Sequence, residues 1–388
     1  LLAISSNAML TGAAFAAGEG LLQLIADGMP WFHFNAGFAV VKNVYAIQHA
    51  AYGGVYIISF FVVAINYLFT EFISLKQWKL LAVPAVIICL YVLTGFFLQQ
   101  QFEKKAATAN NFSLAVLSEN ILPDIKWDDK NGNMLVQKLL QLNKDAVVLK
   151  PDIALWSESV VPWTYQPDDD FINEILKTSS AENITHIIGI NTEIKDNEVY
   201  NSAYSLLSNG SIAGRYDKQH LLALIEKPVG AIIFPFLSSE GFVAREKSMY
   251  AKPLRTKFGN AGMLICNEST LASAAGGMVQ NGANFFCIIC NDGWFNDTYI
   301  PTVHFYNARL RAVETRKDVA VNCNNGISGK IDADGNIAVS KSSSEPFVEK
   351  FLMQPNDVST AAAEFPMLFV YLCAGGIALM IVIKLIRR

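Results

Sequence analysis

Three apolar runs constrain this chain more than anything else in it. Residues 50–69, 80–98 and 366–385 carry almost no charge, and each approaches or reaches the roughly 20 residues that cross a bilayer as a helix. Residues 8–26 form a weaker fourth run, rich in small residues and carrying Glu19. In lipid that carboxylate would have to face other helices or a polar cavity. The rival reading, buried helices of a soluble enzyme, is disfavoured by uncharged runs this long. A composition of 52% hydrophobic residues and a mean hydropathy of +0.30 point the same way.

Basic residues set the orientation, because short cytoplasmic loops are enriched in Lys and Arg. Lys76 and Lys79 lie between two runs, and Lys384, Arg387 and Arg388 follow the last one. Both places are expected in the cytoplasm, which puts everything between the third run and the last one on the opposite side. Three regions result: a membrane region over residues 1–99 with about three helices, an extracytoplasmic domain over 100–365, and a final helix with a basic tail over 366–388. The sequence opens on Leu1 with no basic segment before its first apolar stretch, so no secretory signal peptide is expected.

A net charge of −4 and the lack of a basic stripe exclude nucleic acid as the expected partner. The six cysteines, Cys89, Cys266, Cys287, Cys290, Cys323 and Cys373, are too scattered for a disulfide scaffold and are read as free thiols. Cys287 and Cys290 imitate a redox or metal motif, but positions three apart on a strand face opposite ways. Core packing is the reading for both.

Between the membrane runs, short β-rich stretches are expected at 111–117, 146–149, 153–156, 185–190, 261–266, 285–289 and 319–322. They alternate with helical stretches at 134–143, 170–178 and 303–316. Near-continuous apolar strands imply sheets covered on both faces, hence an α/β domain. Asp332 and Asp334 before Gly335 read as a hairpin turn, and Asp168, Asp169 and Asp170 as a solvated loop leading into a helix.

Three strand ends carry reactive groups: Glu158 after Trp156, Lys218 after Tyr216, and Cys266 after Ile265. A thiol nucleophile needs a base for its proton, a fixed cation for the charge that develops, and some dryness so that both act strongly. Glu, Lys and Cys are that set. Taken singly, each has a bland reading: a lone buried Cys is a small hydrophobe, and a charged residue at a strand end is solvated.

In their contexts they resemble something specific. WSESVVPW (156–163), RYDKQHL (215–221), LICNES (264–269) and NDGWF (291–295) are similar, in order and spacing, to the Glu-Lys-Cys signature of the nitrilase-like carbon-nitrogen hydrolase superfamily. The likeness extends to its membrane branch, the apolipoprotein N-acyltransferases, through GMPW (28–31), ENILPDIKW (119–127), HFYNARLRAVE (304–314) and NNG (324–326) preceding IDADG (331–335). This resemblance implies a four-layer αββα nitrilase-like sandwich inserted between transmembrane helices, in a multi-pass protein of the bacterial inner membrane with its catalytic domain on the periplasmic side.

Carried over position by position, the resemblance implies Cys266 as nucleophile, Glu158 as general base and Lys218 as the lysine that supports the oxyanion. It implies supporting roles for Glu226, Glu268, Trp127 and Asn201, and places Trp294 in a matching loop. The implied reaction moves an acyl chain from a phospholipid, through a thioester on Cys266, to the α-amine of a diacylglyceryl-cysteine at the start of a lipoprotein, with no metal or other cofactor. Lys218 is also expected to favour the thiolate, His220 to orient its loop by hydrogen bonds, and the apolar stretch 231–237 to act as a membrane-facing lid. The chain departs from the family pattern at Asn267, where a Tyr is usual, and at Leu224 and Ile225, where an aromatic residue and Gly are usual. The family carries more membrane helices before its enzyme domain, which makes this start truncated or divergent. A membrane-anchored amidase or nitrilase, and an inactive lipoprotein-binding relative, are the rival functions; the membrane runs oppose the first and the intact Glu158, Lys218 and Cys266 the second.

Overall fold

The computed structural model describes residues 2–26, 28–29, 35–106, 111–195, 198–227, 229, 243–246, 252–295 and 298–386. Four of its helices are long and apolar enough to cross a membrane. They are α1 (Leu2–Ile25), α2 (Ala50–Ser74), α3 (Ala82–Ala106) and α9 (Leu368–Ile386), and they coincide with the four apolar runs. Glu19 on α1 is buried and accepts a hydrogen bond from Ala36 N at 2.6 Å. Its carboxylate therefore fastens the loop that follows α1 and faces away from lipid.

Between α3 and α9 the chain alternates strands and helices: β1 (Phe112–Ser118), α4 (Gly132–Leu149), β2 (Ile153–Trp156), α5 (Asp170–Ser179) and β3 (Thr185–Gly189). A run of short strands follows, β4 (Thr192–Lys195), β5 (Glu198–Tyr200), β6 (Ser202–Leu206), β7 (Ile212–Asp217), β8 (Val243–Ala244) and β9 (Leu254–Thr256). Then come β10 (Gly259–Ile265), α6 (Ala272–Gln280), β11 (Phe285–Asn291), α7 (Ile300–Thr315), β12 (Val319–Asn324), β13 (Ile327–Ile331), β14 (Ile337–Ser342), β15 (Phe347–Met353) and the short α8 (Ala361–Glu364).

Two six-stranded sheets result, ordered β15-β1-β2-β3-β6-β7 and β14-β13-β12-β11-β10-β9. Their central trios, β1-β2-β3 and β10-β11-β12, are parallel. Strand alternation sorts the side chains. Leu114 and Val116 of β1 join Met263, Ile265 and Ile288 in the core between the sheets, while Ala115 and Leu117 pack outward with Leu139 of α4 and Ile175 of α5. Ala275 and Met278 of α6 and Phe305, Ala308 and Ala312 of α7 cover the other sheet. This is the αββα sandwich that the resemblance implied.

One expected strand is a helix. Residues 146–149 form the last turn of α4, because the buried stripe Leu135, Leu139, Leu142 and Ala146 keeps helical spacing into that stretch. The β-branched pair Val147 and Val148 sits beside the stripe, and the helix stops at Lys150, whose φ is +48°. Asp169 caps α5, its side chain accepting from Ile172 N at 2.9 Å.

Helix α7 joins the sandwich to the membrane helices. Leu310 and Val313 pack with Ile47, Val55 and Ile58, and Arg309 donates to the carbonyls of Val41, Lys42 and Gly335 at 2.9, 2.9 and 2.6 Å. Glu314, paired with Arg311 at 2.7 Å, accepts from Val55 N at 3.0 Å. That amide is freed because α2 breaks at Gly53 and Gly54, the latter with φ of +64°.

Candidate active site

Glu158, Lys218 and Cys266 follow the ends of β2, β7 and β10, and the fold brings them to one place. Glu158 Oε1 lies 3.4 Å from Lys218 Nζ and accepts from Asn201 Nδ2 at 2.7 Å. Lys218 Nζ sits 2.9 Å from Glu226, and its own N–H donates to the Asn201 carbonyl at 2.8 Å. Glu226 in turn accepts from Leu222 N at 2.6 Å. Lys218 is 1% exposed and Cys266 8%, so these charges act with little screening.

Cys266 stands at a backbone strain point. Its φ is +55°, a left-handed conformation that costs a side-chain-bearing residue about 1–2 kcal/mol. Glu268, fully buried, holds the turn in that shape: it accepts from Ile265 N at 2.8 Å, Tyr216 Oη at 2.8 Å, Gln219 N at 2.7 Å and His220 N at 3.1 Å. One carboxylate thus ties the cysteine turn to the loop that carries Lys218. Beneath the site, Asn322 Nδ2 donates to the carbonyls of Leu117 and Leu155 at 2.7 and 2.9 Å, joining β12 of one sheet to β1 and β2 of the other.

Burial pushes the Glu158 carboxyl above its ordinary 4.5; Lys218 opposes the rise and Glu226 adds to it. Burial also works against the Lys218 ammonium, but Glu226, Glu158 and Cys266 outweigh it and hold the lysine well above 10.5. Lys218 favours the Cys266 thiolate, as expected, but it is outweighed. Lys218 does pull the Cys266 thiol down, yet burial and the Glu158 charge raise it well above 9.0. Two carboxyl groups already face one ammonium, and a third negative charge would find no partner. The resting thiol keeps its proton, and a nucleophilic step must remove it during attack.

A cavity of about 290 Å³ opens beside Cys266. Phe15 of α1 and Phe38, from the loop after α1, line it together with Leu222, Phe295 and Val303. The membrane region and the sandwich therefore build it jointly, and its walls are mostly apolar, as expected of a pocket for an oily ligand. His304 and Asn267 are among the polar groups on its walls. Such a constellation can carry acyl transfer through sulfur: a thiol, a raised carboxyl to take its proton, and a fixed cation.

Not every residue singled out from the sequence arrives there. Trp127 stacks edge-on against Trp163, with ring centroids 5.7 Å apart, and does not line the cavity. Trp294 belongs to the turn Gly293–Phe295; its side chain, like the stretch 231–237, lies outside the described residues. Tyr216, Asn322 and the Asp292–His304 pair went unassigned. An Asn in the middle of the apolar strand 319–324 and an Asp just after another such strand were the available signals.

The carbon-nitrogen hydrolase family model matches residues 105–356. The chain is 26% identical over 325 residues to the apolipoprotein N-acyltransferase of Geobacter metallireducens, covering 81% of this chain and 62% of that protein. It is 27% identical over 341 residues to the enzyme of the same name from Allorhizobium ampelinum, covering 84% of this chain and 63% of that protein. The chain thus spans a little over three fifths of the length of these two relatives. Among solved structures, the NitFhit protein of C. elegans superposes with a TM-score of 0.50 at 14% identity, over 67% of this chain and 63% of that one. That likeness is one of fold.

Proposed function

The chain belongs to the carbon-nitrogen hydrolase family, and from that premise we propose that it transfers an acyl chain from a phospholipid to the N-terminal amine of a lipoprotein. The observation that carries this reading is the cavity at Cys266, walled partly by a membrane helix and its following loop. A hydrolase of small soluble amides has no need of such walls. The names of the relatives and the four apolar helices support the same reading.

In the first half-reaction Glu158 takes the Cys266 proton as sulfur attacks the ester carbonyl. Lys218 faces the oxyanion that forms, which is the charge a preorganised cation stabilises most. The carbon–oxygen bond then breaks, Glu158 returns its proton to the departing glycerol oxygen, and a lyso-phospholipid leaves a thioester behind. In the second half-reaction the lipoprotein amine attacks the thioester carbonyl, the carbon–sulfur bond breaks, and Glu158 carries a proton from nitrogen to sulfur. Glu226 fixes Lys218, Asn201 fixes Glu158, and Glu268 holds the Cys266 turn. The basic residues Lys76, Lys79 and Lys384 support a periplasmic setting for the sandwich, beyond an inner membrane spanned by the helices.

The test is transfer itself. In vesicles of phosphatidylethanolamine, the protein is expected to convert a synthetic peptide bearing N-terminal diacylglyceryl-cysteine into its N-acylated form, read by mass. Cys266→Ser is expected to lose this conversion while keeping the wild-type unfolding temperature in detergent. Conversion that survives Cys266→Ser would refute the assignment.

A further inference from the structure

The second half-reaction has a proton that Glu158 cannot absorb. An α-amine with a pKa near 8 arrives at neutral pH largely as ammonium, so it must shed one proton before it can attack and a second as the amide forms. The first half-reaction has no such surplus, since the thiol releases one proton and the leaving oxygen takes it. Glu158, relaying the second proton to sulfur, is not available for the first.

His304 stands where that surplus proton emerges. Its ring lines the cavity that holds Cys266, and its Nδ1 is 2.8 Å from Asp292 Oδ1. Asp292 is buried at the end of β11, and His304 is its one ion-pair partner among the described residues. A buried carboxylate that also takes a hydrogen bond from Cys323 keeps a proton on Nδ1 and leaves the Nε2 lone pair as the acceptor. No described residue hydrogen-bonds Nε2. Asn267 is a further polar residue in the lining of this cavity. Asn267 Nδ2 donates to the His220 carbonyl at 3.1 Å, which fixes the orientation of the amide, and its buried Oδ1 has no partner among the described residues. An orphaned buried carbonyl oxygen is costly unless something with an N–H comes to it.

We propose that the acceptor ammonium is seated by Asn267 Oδ1 and gives its surplus proton to His304 Nε2, with Asp292 as the residue that positions the ring. This role rests on the acyltransferase reading above. Ammonium and imidazole become amine and imidazolium; the imidazolium returns its proton to water, and the amine attacks while Glu158 moves the second proton to sulfur. The sum is ammonium plus thioester giving amide, thiol and one proton. The titratable groups that face His304 are Asp292, Glu158 and Lys218 across the site, and Cys266 and Tyr299 around the cavity. Burial disfavours an imidazolium here, but Asp292 outweighs it and lifts the ring above its ordinary 6.5. That direction brings the ring toward the amine it would deprotonate, where general-base catalysis works best.

The experiment separates the two half-reactions, using phosphatidylethanolamine vesicles as donor and the diacylglyceryl-cysteinyl peptide as acceptor. In His304→Gln, thioester formation is expected to stay within about twofold of wild type, while peptide acylation at neutral pH slows roughly 10- to 100-fold. The acid limb of the second step should move from the histidine's pKa up to that of the amine, about 8. Hydroxylamine, whose nitrogen is largely uncharged at neutral pH, should cleave the His304→Gln thioester as fast as the wild-type one. Asp292→Asn, which removes the charge that lifts the ring, is expected to slow peptide acylation and to move the acid limb to lower pH, and Asn267→Leu to raise the apparent KM for the peptide without moving that limb. Unchanged peptide acylation in His304→Gln, or an equal loss in both half-reactions, would overturn this role alone. A wild-type protein that forms no thioester would overturn the acyltransferase reading together with it.

Discussion

At Cys266 the chemistry depends on which partner wins. Burial and the Glu158 charge raise the thiol well above 9.0 against the pull of Lys218, so in the proposed mechanism the thiolate forms only as Glu158 takes the proton. The positions of Glu158, Lys218 and Cys266 were singled out because each follows a strand end within a motif that resembles the family signature. Their protonation could not, since it follows from burial and from the way Glu226 folds back on Lys218 and Glu158. Replacing Lys218 by Met tests the balance. Loss of an oxyanion partner is expected to slow thioester formation by roughly 100-fold or more. Lys218 also holds Glu158 down, so its removal lets the carboxyl rise further, and the acid limb of thioester formation should move to higher pH. Single-turnover acylation across pH reads both effects, and an acid limb unmoved or shifted to lower pH would contradict the coupling.

Among the elements, α7 does the least visible work and connects the most. HFYNARLRAVE looks like a polar surface helix by composition, yet Arg309, Arg311 and Glu314 are all buried. Arg309 reaches backbone groups of the loop before α2, Glu314 one of α2 itself, and Arg311 those of Ser269 and Thr270, neighbours only on folding. The helix at 146–149 was hidden for the opposite reason: four apolar residues suit a strand or a helix, and only the buried stripe upstream decides. Breaking the α7 joint should be expensive. Glu314→Ala leaves Arg311 buried without its carboxylate and Val55 N without its acceptor, a loss of about 3–5 kcal/mol, read as a clear fall in unfolding temperature in detergent. The paired change Arg311→Met with Glu314→Leu is expected to recover part of it, because an apolar pair in place of buried ions is often neutral. A Glu314→Ala protein as stable as wild type would mean that the joint carries no load.

Over the whole molecule, hydropathy located the four apolar helices, and the ordered motifs carried the resemblance that implied the sandwich, since both signals are local or ordered along the chain. The shared cavity was not legible, because Phe15 and Cys266 are 251 positions apart and meet only through the docking of the sandwich on α1 and α2. That meeting is the feature on which the proposal of an oily acyl donor rests. The most direct measurement is peptide mass mapping of the protein after incubation with phosphatidylethanolamine vesicles and no acceptor. A hydroxylamine-labile long-chain acyl group on Cys266, absent from Glu158→Gln, is the expected result. A protein that stays unacylated, or one acylated at another residue, would contradict the account.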